Sequence, residues 1–540
     1  CLSDGHRPPL QTVDTAIRRR LTALGFFLVC STLYFVTRSP ALDEWDSVQF
    51  ALGVGDFNLW RHQPHPPGYP VYIAFGWLFS HVLPLTVPTA LVLASALGGG
   101  LFVACWYRLL WRRFPAPVAW VTTLALATLL ITWMTATKVL TDGLEAGLLA
   151  ATLLALDDAA ESVRAVWRLV GGALLAALAA GVRPQNTGVI LLILLLAIPR
   201  WRSQPGKWAI GLGAFAVGGG AWLVPTAWLQ AHTPEAAGDW LAYPRQLLAQ
   251  WRWRLDQPKA FLGASGESWD LLIYRLEHHP LGWFTRGFGF ALDSVSGWLG
   301  IGVVVLGWTF YGLKLHTMRE DAAFWRRQLP WAVVYVAMIF CCLPGDQRYY
   351  LPIFPLLIAP VIAGWWWCLG RRSRWLICAL PLATLVVTLP YALENHSAPA
   401  PPVRLLRWLA ARWPLRERPE VWLVLRDSRR HAEWYAPEFH IVRAEDFAGL
   451  PPAGREPRAV YTDDPVIATE PEPHGRWLLL ETFSRSPLIY RKHNEVSLYM
   501  LAPMWRHSVD RANTASEAGR ASKGTHEHQL CEARKLDGQL

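Results

Sequence analysis

LDEWDSVQFALGVGDFNLWRHQPHPPGYPVY, residues Leu42–Tyr72, lies between two apolar segments, and its chemistry is too dense for a plain connector. Three carboxylates, Asp43, Glu44 and Asp46, stand just past the end of the first apolar run. After Asp46 the apolar residues Val48, Phe50, Ala51, Leu52, Val54 and Phe57 recur largely at spacings of three and four. That period predicts a helix with one apolar face lying along a membrane, with Asp46 and Ser47 as its N-cap and first turn. The stretch closes on His62 and His65, held among Pro64, Pro66, Pro67 and Pro70. Proline fixes φ, and Gly68 permits a backbone angle other residues avoid. Acid, helix and rigid basic-aromatic turn together have the layout of a site at a membrane surface.

The surrounding chain is that of a membrane protein. It has 540 residues, 53% hydrophobic and only 17% charged, against about 25% charged in soluble domains. The 31 tryptophans suit lipid–water interfaces. The formal charge of +10 comes from short basic runs between apolar segments, which marks cytoplasmic loops and excludes nucleic acid as a partner. The eight cysteines contain no CxxC and sit mostly in apolar segments, so they read as small buried hydrophobes.

A bilayer core of about 30 Å needs roughly 20 apolar residues per helix. The first span is 21–37, preceded by Arg18, Arg19 and Arg20, which places the N-terminus inside and residues 38–68 outside. Residues 69–85 read as an interfacial or re-entrant helix, because that choice keeps Arg112 and Arg113 inside. Further spans are expected at 89–111, 116–133, 143–156, 169–182, 187–199, 208–229, 298–315, 331–343, 351–369 and 375–391, with a long outer loop at 230–297. The fold class expected is an α-helical polytopic membrane protein of about eleven transmembrane helices plus one interfacial helix. Residues 1–20 form a cytoplasmic segment and 21–395 the membrane domain. Residues 400–505 alternate strand and helix patterns and predict a small extracytoplasmic α/β domain. Residues 506–540 are polar and read as a disordered tail.

Asp46 reads either as a helix cap or as a general base facing an acceptor hydroxyl. Asp43 and Glu44 read as solvated charges or as groups orienting a substrate. His62 and His65 could bind a divalent metal with Asp46 or Glu44, but no further His or Cys ligand is near, so no metal is assigned. A hydrogen-bonding or cationic role toward phosphate is the alternative. Lys138, Asp142 and Glu145, then Arg183, then Arg348 and Tyr349 all fall at outer helix ends, against the positive-inside bias. Arginine matches phosphate bidentately, so Arg183 and Arg348 are candidate phosphate ligands beside Lys138. Trp240 and Tyr243 could stack on a sugar or anchor the interface. Such a cavity suits a lipid-linked phosphate whose chain stays in the bilayer. No P-loop or serine nucleophile elbow is present.

At these residues the chain resembles the GT-C class of membrane glycosyltransferases that use polyprenyl- or dolichyl-phosphate sugars, which includes protein O-mannosyltransferases and the aminoarabinose transferase of lipid A. The resemblance rests on Asp46-Ser-Val-Gln-Phe50-Ala51, Gly55-Asp56-Phe57, His65-Pro66-Pro67-Gly68-Tyr69-Pro70 and Arg348-Tyr349-Tyr350-Leu351-Pro352, and covers roughly 15–395. The HPPGYP form looks most like a bacterial branch. Two departures stand out: the acidic-Lys-Pro-Pro turn is His-Pro-Pro here, and Asp346-Gln347 replaces a histidine common ahead of the Arg-Tyr signature. The resemblance implies a GT-C-like fold, Asp46 as the base and Arg348 as a donor-phosphate contact. It implies inverting transfer of a hexose, mannose-like, from a polyprenyl-phosphate donor to an acceptor hydroxyl on protein, lipid or glycan. Asp43, Glu44, His62, His65, Tyr69, Lys138, Asp142, Arg183, Arg348 and Tyr349 are the candidate substrate-binding set. The expected location is the bacterial inner membrane. The rivals are a transporter or flippase for a lipid-linked sugar, which predicts midplane charges and discontinuous helices, and a non-catalytic polytopic partner.

Overall fold

The computed structural model describes residues 13–159, 165–196, 205–262, 273, 276, 282–290, 292–315, 319–342, 347–447, 457–469, 475–486, 488–489 and 494–503. The 506–540 segment, Asp346 and much of 263–281 therefore lie outside the described residues. The chain divides into two compact units: residues up to Arg404 together with Ser484–Asn494, and residues Leu405–Phe483 together with those from Glu495 onward.

The first unit is helical. Its elements are α1 (Val13–Val36), α2 (Trp45–Gly55), α3 (Pro70–Val82), α4 (Val87–Trp111), α5 (Ala116–Thr128), α6 (Leu130–Ala136), α7 (Thr141–Ala159), α8 (Ala165–Val182), α9 (Thr187–Leu196), α10 (Pro205–Ala231), α11 (Ala242–Leu262), α12 (Val295–Leu315), α13 (Arg319–Cys342), α14 (Phe354–Cys368) and α15 (Ala379–Ser397). Every expected span coincides with one of these helices. Among the described residues, six helices are long and apolar enough to cross a membrane, or seven if the bent α5–α6 pair is one span. The shortfall against about eleven has physical causes. α8 and α9 are short, α7 carries carboxylates at both ends, and α13 opens on charged residues.

Three local expectations are corrected. First, α2 does not float on lipid: Val48, Phe50 and Ala51 are buried, and so are Ser47 and Gln49 on other faces. Its apolar period records burial within protein rather than contact with a bilayer. Second, its N-cap is Glu44, which makes no side-chain cap bond, so Asp46 stands in the first turn. Third, residues 230–297 are not simply a loop, because α11 occupies Ala242–Leu262. Its many charged and polar residues hid a helix that packs against α10 and α13. Among the cysteines, Cys30 and Cys105 are buried as expected, but Cys368 and Cys378 are exposed.

Close helix packing fixes the frame. A Cβ added at Gly98 of α4 would stand 2.3 Å from the Leu144 Cα, and one at Gly147 of α7 the same distance from the Gly98 carbonyl oxygen. Small residues let these backbones touch. The α5–α6 pair, expected as one straight span, bends by 54° at Leu129. There Thr128 turns its hydroxyl to Thr384 and the Pro381 carbonyl as well as to its own helix.

The second unit is a small α/β sheet. α16 (Pro401–Arg412) leads to β1 (Val421–Leu425), α17 (Arg429–Tyr435), β2 (His440–Arg443), β3 (Ala459–Thr462), α18 (Pro465–Thr469), β4 (Gly475–Ser484) and β5 (Glu495–Pro503). The sheet order is β2-β1-β3-β5-β4, parallel across β2, β1 and β3, and antiparallel between β3 and β5. Side chains alternate faces along a strand. Leu423 and Leu425 accordingly face Leu405, Leu406 and Leu409, while Val424 joins Val460 and Trp477 in a second core.

Candidate functional site

The HPPGYP turn is braced from several sides. Asn58 and Gln63 form an antiparallel bridge. Asn58 Nδ2 and Arg61 Nε both donate to Glu235, each at 2.9 Å. The Leu59 N–H donates to Gln230 Oε1 at 3.2 Å, and the Tyr243 hydroxyl to the Pro67 carbonyl at 3.0 Å. Gly68 adopts φ +98°, and a Cβ there would press within 3.2 Å of Phe57 and Leu59. Tyr69 follows at φ +50° as the cap of α3. The result aims His65 at α2. Its ring lies 5.7 Å from that of Phe50, and its Nε2 is 2.9 Å from the Tyr69 hydroxyl.

Against His65 stands a cluster of charges from four segments. Arg348, on the 3-10 turn Gln347–Ile353 ahead of α14, donates from Nη2 to Asp46 Oδ2 at 2.8 Å. Its Nε lies 4.0 Å from Asp142 Oδ2. Arg183 donates to Asp142 at 2.6 Å and to Thr141 Oγ1 at 2.9 Å, and its Nε is 3.4 Å from Glu145. Both guanidinium groups lie over the Tyr349 ring. His65 Nδ1 is 3.9 Å from Asp46 Oδ1. Exposure separates the members: the Asp46 side chain is 33% exposed and Arg348 16%, but Asp142 and Glu145 only 2%. Asp46 is thus an open carboxylate on a partly open arginine, backed by a closed ionic layer.

A second cluster sits beside the first on the approach to α2. Asp43 is buried and accepts the Ser39 hydroxyl at 2.7 Å. Lys138 Nζ lies 3.6 Å from Asp43 and 3.5 Å from Glu44, and it donates to the Ile489 carbonyl. Arg485 Nη1 reaches Asp43 Oδ2 at 3.2 Å. Sequence reading missed Arg485 because it lies far along the chain in an ordinary basic-polar stretch.

The placement of the candidates divides them. Asp46, His65, Tyr69, Asp142, Arg183, Arg348 and Tyr349 are brought together, and Asp43, Glu44 and Lys138 adjoin them. Arg183 is committed to Asp142 and Glu145 behind the open face. His62 is exposed on the turn at φ +55°. Tyr243 is fully buried, so it braces Pro67 instead of offering a sugar-stacking face, whereas Trp240 is exposed. Burial lowers the His65 pKa to about 4 against the opposing pull of Asp46, and Arg348 and Arg183 push the same way as burial. Burial thus favours the neutral imidazole, which suits a hydrogen-bonding role. Asp46 and His65 alone do not make a metal cage, and among the described residues no group of three His, Cys, Asp or Glu side chains is placed to hold an ion.

No family model matches the chain. The fold is shared with ArnT from Cupriavidus metallidurans. Bound to undecaprenyl phosphate, that protein superposes with a TM-score of 0.51 at 12% identity, over 91% of this chain and 98% of that one. Its apo form gives 0.51 at 13% identity, over 88% and 97%. A 58-residue stretch is 31% identical to protein O-mannosyl-transferase tmem260 of Dictyostelium discoideum; it is 11% of this chain and spans only 7% of that protein. The chain is thus a multi-pass helical membrane protein with an ArnT-like, GT-C-like fold and a small C-terminal sheet.

Proposed function

We propose that the protein is a membrane glycosyltransferase that moves a sugar from a polyprenyl-phosphate carrier to an acceptor hydroxyl on the extracytoplasmic face of a bacterial inner membrane. The observation that carries this reading is the open carboxylate of Asp46 held directly by Arg348 within an ArnT-like fold. The acceptor hydroxyl oxygen meets the open carboxylate of Asp46, which is 33% exposed, while the buried His65 Nδ1 backs that carboxylate at 3.9 Å. That oxygen attacks the anomeric carbon from the face opposite the phosphate. The new C–O bond forms as the bond to the phosphate oxygen breaks, the hydroxyl proton passes to Asp46, and configuration inverts. Negative charge grows on the departing lipid phosphate, where the Arg348 guanidinium offers fixed positive charge. In the donor-free arrangement Arg348 bonds Asp46, so an arriving phosphate competes for that guanidinium and frees the carboxylate to take a proton. The fold shared with ArnT, which binds undecaprenyl phosphate, supports a lipid-phosphate donor, and the stretch similar to an O-mannosyl-transferase supports a hexose of the mannose kind.

The test supplies membranes containing wild-type protein or Asp46→Asn with a radiolabelled polyprenyl-phosphate hexose. General-base loss predicts transfer lower by about 10²–10⁴-fold with an unchanged melting temperature. Equal transfer by the two proteins would remove Asp46 from the chemistry.

A further inference from the structure

Arg485 is in the segment Ser484–Asn494, which joins β4 to β5 in sequence yet belongs to the same compact unit as the first outer loop. The described part of this segment is tied down at several points. Arg485 Nη1 lies 3.2 Å from Asp43 Oδ2. Its Nη2 donates to Asn395 Oδ1 at 3.2 Å and to the Glu394 carbonyl at 3.4 Å. The Ser486 N–H donates to Glu394 Oε1 at 3.2 Å, and the Ile489 carbonyl accepts from Lys138. Asn395 in turn donates to Thr137 Oγ1 at 3.3 Å, and the Ser39 N–H to the Thr137 carbonyl at 3.0 Å. Arg485 and Asp43 are both almost wholly buried, with side chains 2% and 0% exposed. A buried charge pair broken on one side leaves the other charge uncompensated, so its geometry is strongly held.

We infer that Arg485 is a positioning residue for Asp46, and that Arg485, with Ser486 and Ile489 beside it, straps the entry to α2 in the orientation the transfer reaction needs. Asp43 lies one residue ahead of Glu44, the N-cap of α2, and Asp46 is in the first turn of that helix. Glu44 makes no side-chain cap bond, so the usual local fixation of a helix start is missing here. Fixation comes instead from contacts beyond the helix: Arg485 and Lys138 on Asp43, and the Ser47 hydroxyl on the Val139 carbonyl. Arg485 touches neither donor nor acceptor. Its effect reaches the reacting atoms through the direction in which Asp46 leaves α2.

The catalytic part of this inference rests on the sugar-transfer reading, so the experiment has one arm that does not. In full-length protein in nanodiscs, hydrogen exchange is followed at the amides of residues 44–49 in wild type, Arg485→Gln and Arg485→Lys. Arg485→Gln is expected to raise exchange there by about tenfold, in the manner of local opening, with Arg485→Lys between it and wild type. In the second arm, a slightly misplaced base lowers kcat by about 10–100-fold while the donor KM stays within about twofold. The double variant Asp43→Asn with Arg485→Gln is expected to fall below Arg485→Gln alone, since it also removes the Lys138–Asp43 pair, but by less than the product of the two single effects, since both variants break the Arg485–Asp43 pair. Unchanged exchange in Arg485→Gln overturns the strap even if activity falls. A rise in donor KM at constant kcat overturns the positioning role. If wild type and Asp46→Asn transfer equally, the sugar-transfer reading fails, while the exchange arm still decides the strap.

Discussion

Asp46 and Asp142 both bond an arginine, but one faces solvent and the other does not. Losing the charge therefore has different consequences at the two positions. At Asp46 the loss is chemical. At Asp142 it strips a buried partner from Arg183 and brings Glu145 alone against that guanidinium, a change that costs about 3–5 kcal/mol when a buried pair is broken. Asp142→Asn is accordingly expected to lower the melting temperature sharply, whereas Asp46→Asn leaves it in place; thermal unfolding of both variants in detergent checks this. His65 gives a pH signature. In the unfolded chain it takes a proton below about pH 6.5, but in the fold it stays neutral down to about 4. Its contribution to stability is thus complete above about pH 6.5 and is lost as the pH falls toward 4, where the unfolded state binds the extra proton. His65→Gln should show a smaller drop in melting temperature between pH 7.5 and about pH 5 than the wild type does. Equal drops would place the acid-sensitive group elsewhere. The sequence pointed to these residues because charges at outer helix ends are unusual. Arg485 carried no such local sign, because its partner Asp43 comes from the opposite end of the chain and only the folded packing joins them.

At the scale of elements, α4 and α7 carry the site on a backbone contact. Gly98 and Gly147 leave no room for a side chain between the helices, and the first turns of α7 hold Asp142 and Glu145. Overpacking of this kind costs about 1–3 kcal/mol. Gly147→Val is expected to destabilise the protein by that order and to separate Asp142 from Arg348, lowering transfer as well. A paired measurement of melting temperature and donor KM reads both effects, and a variant that loses neither would show that the helices can slide apart freely. Periodicity was a good guide to where helices lie, since every expected span coincides with one. It was a poor guide to what each face touches. The three-and-four pattern of α2 marks burial in protein just as well as contact with lipid, and α11 escaped notice because charged residues mask an otherwise regular helix. The strand pattern of the second unit was legible because short β-branched runs separated by turns leave little alternative, though α16 was not foreseen.

At the scale of the membrane unit, one helix connects two ionic layers. Asp142 opens α7 beside Arg183 and Arg348, and Asp157 near its other end receives Arg112, Arg113 and Arg327 at 2.8, 3.1 and 3.2 Å. The two carboxylates are separated along the helix by about 22 Å at 1.5 Å per residue, enough for most of a bilayer core. If α7 crosses the membrane, the Asp46 layer and the Arg113 layer are expected on opposite sides of it. This bears on α3, whose 13 residues span only about 20 Å. If α3 and α4 both crossed fully, Arg113 would share a side with the first outer loop, and α7 could not join the two layers across the membrane. The expected arrangement is therefore a short α3 that does not complete a crossing, with Arg112, Arg113 and Arg327 on the cytoplasmic side by the positive-inside bias. The check uses single cysteines at Arg61 and Arg326, both exposed, in a background without native cysteines. A membrane-impermeant maleimide should label Arg61→Cys from the extracytoplasmic face of sealed vesicles and Arg326→Cys only from the other. Labelling of both from one side would return α3 to the list of full crossings and put the Asp157 layer on the same side of the membrane as the candidate site.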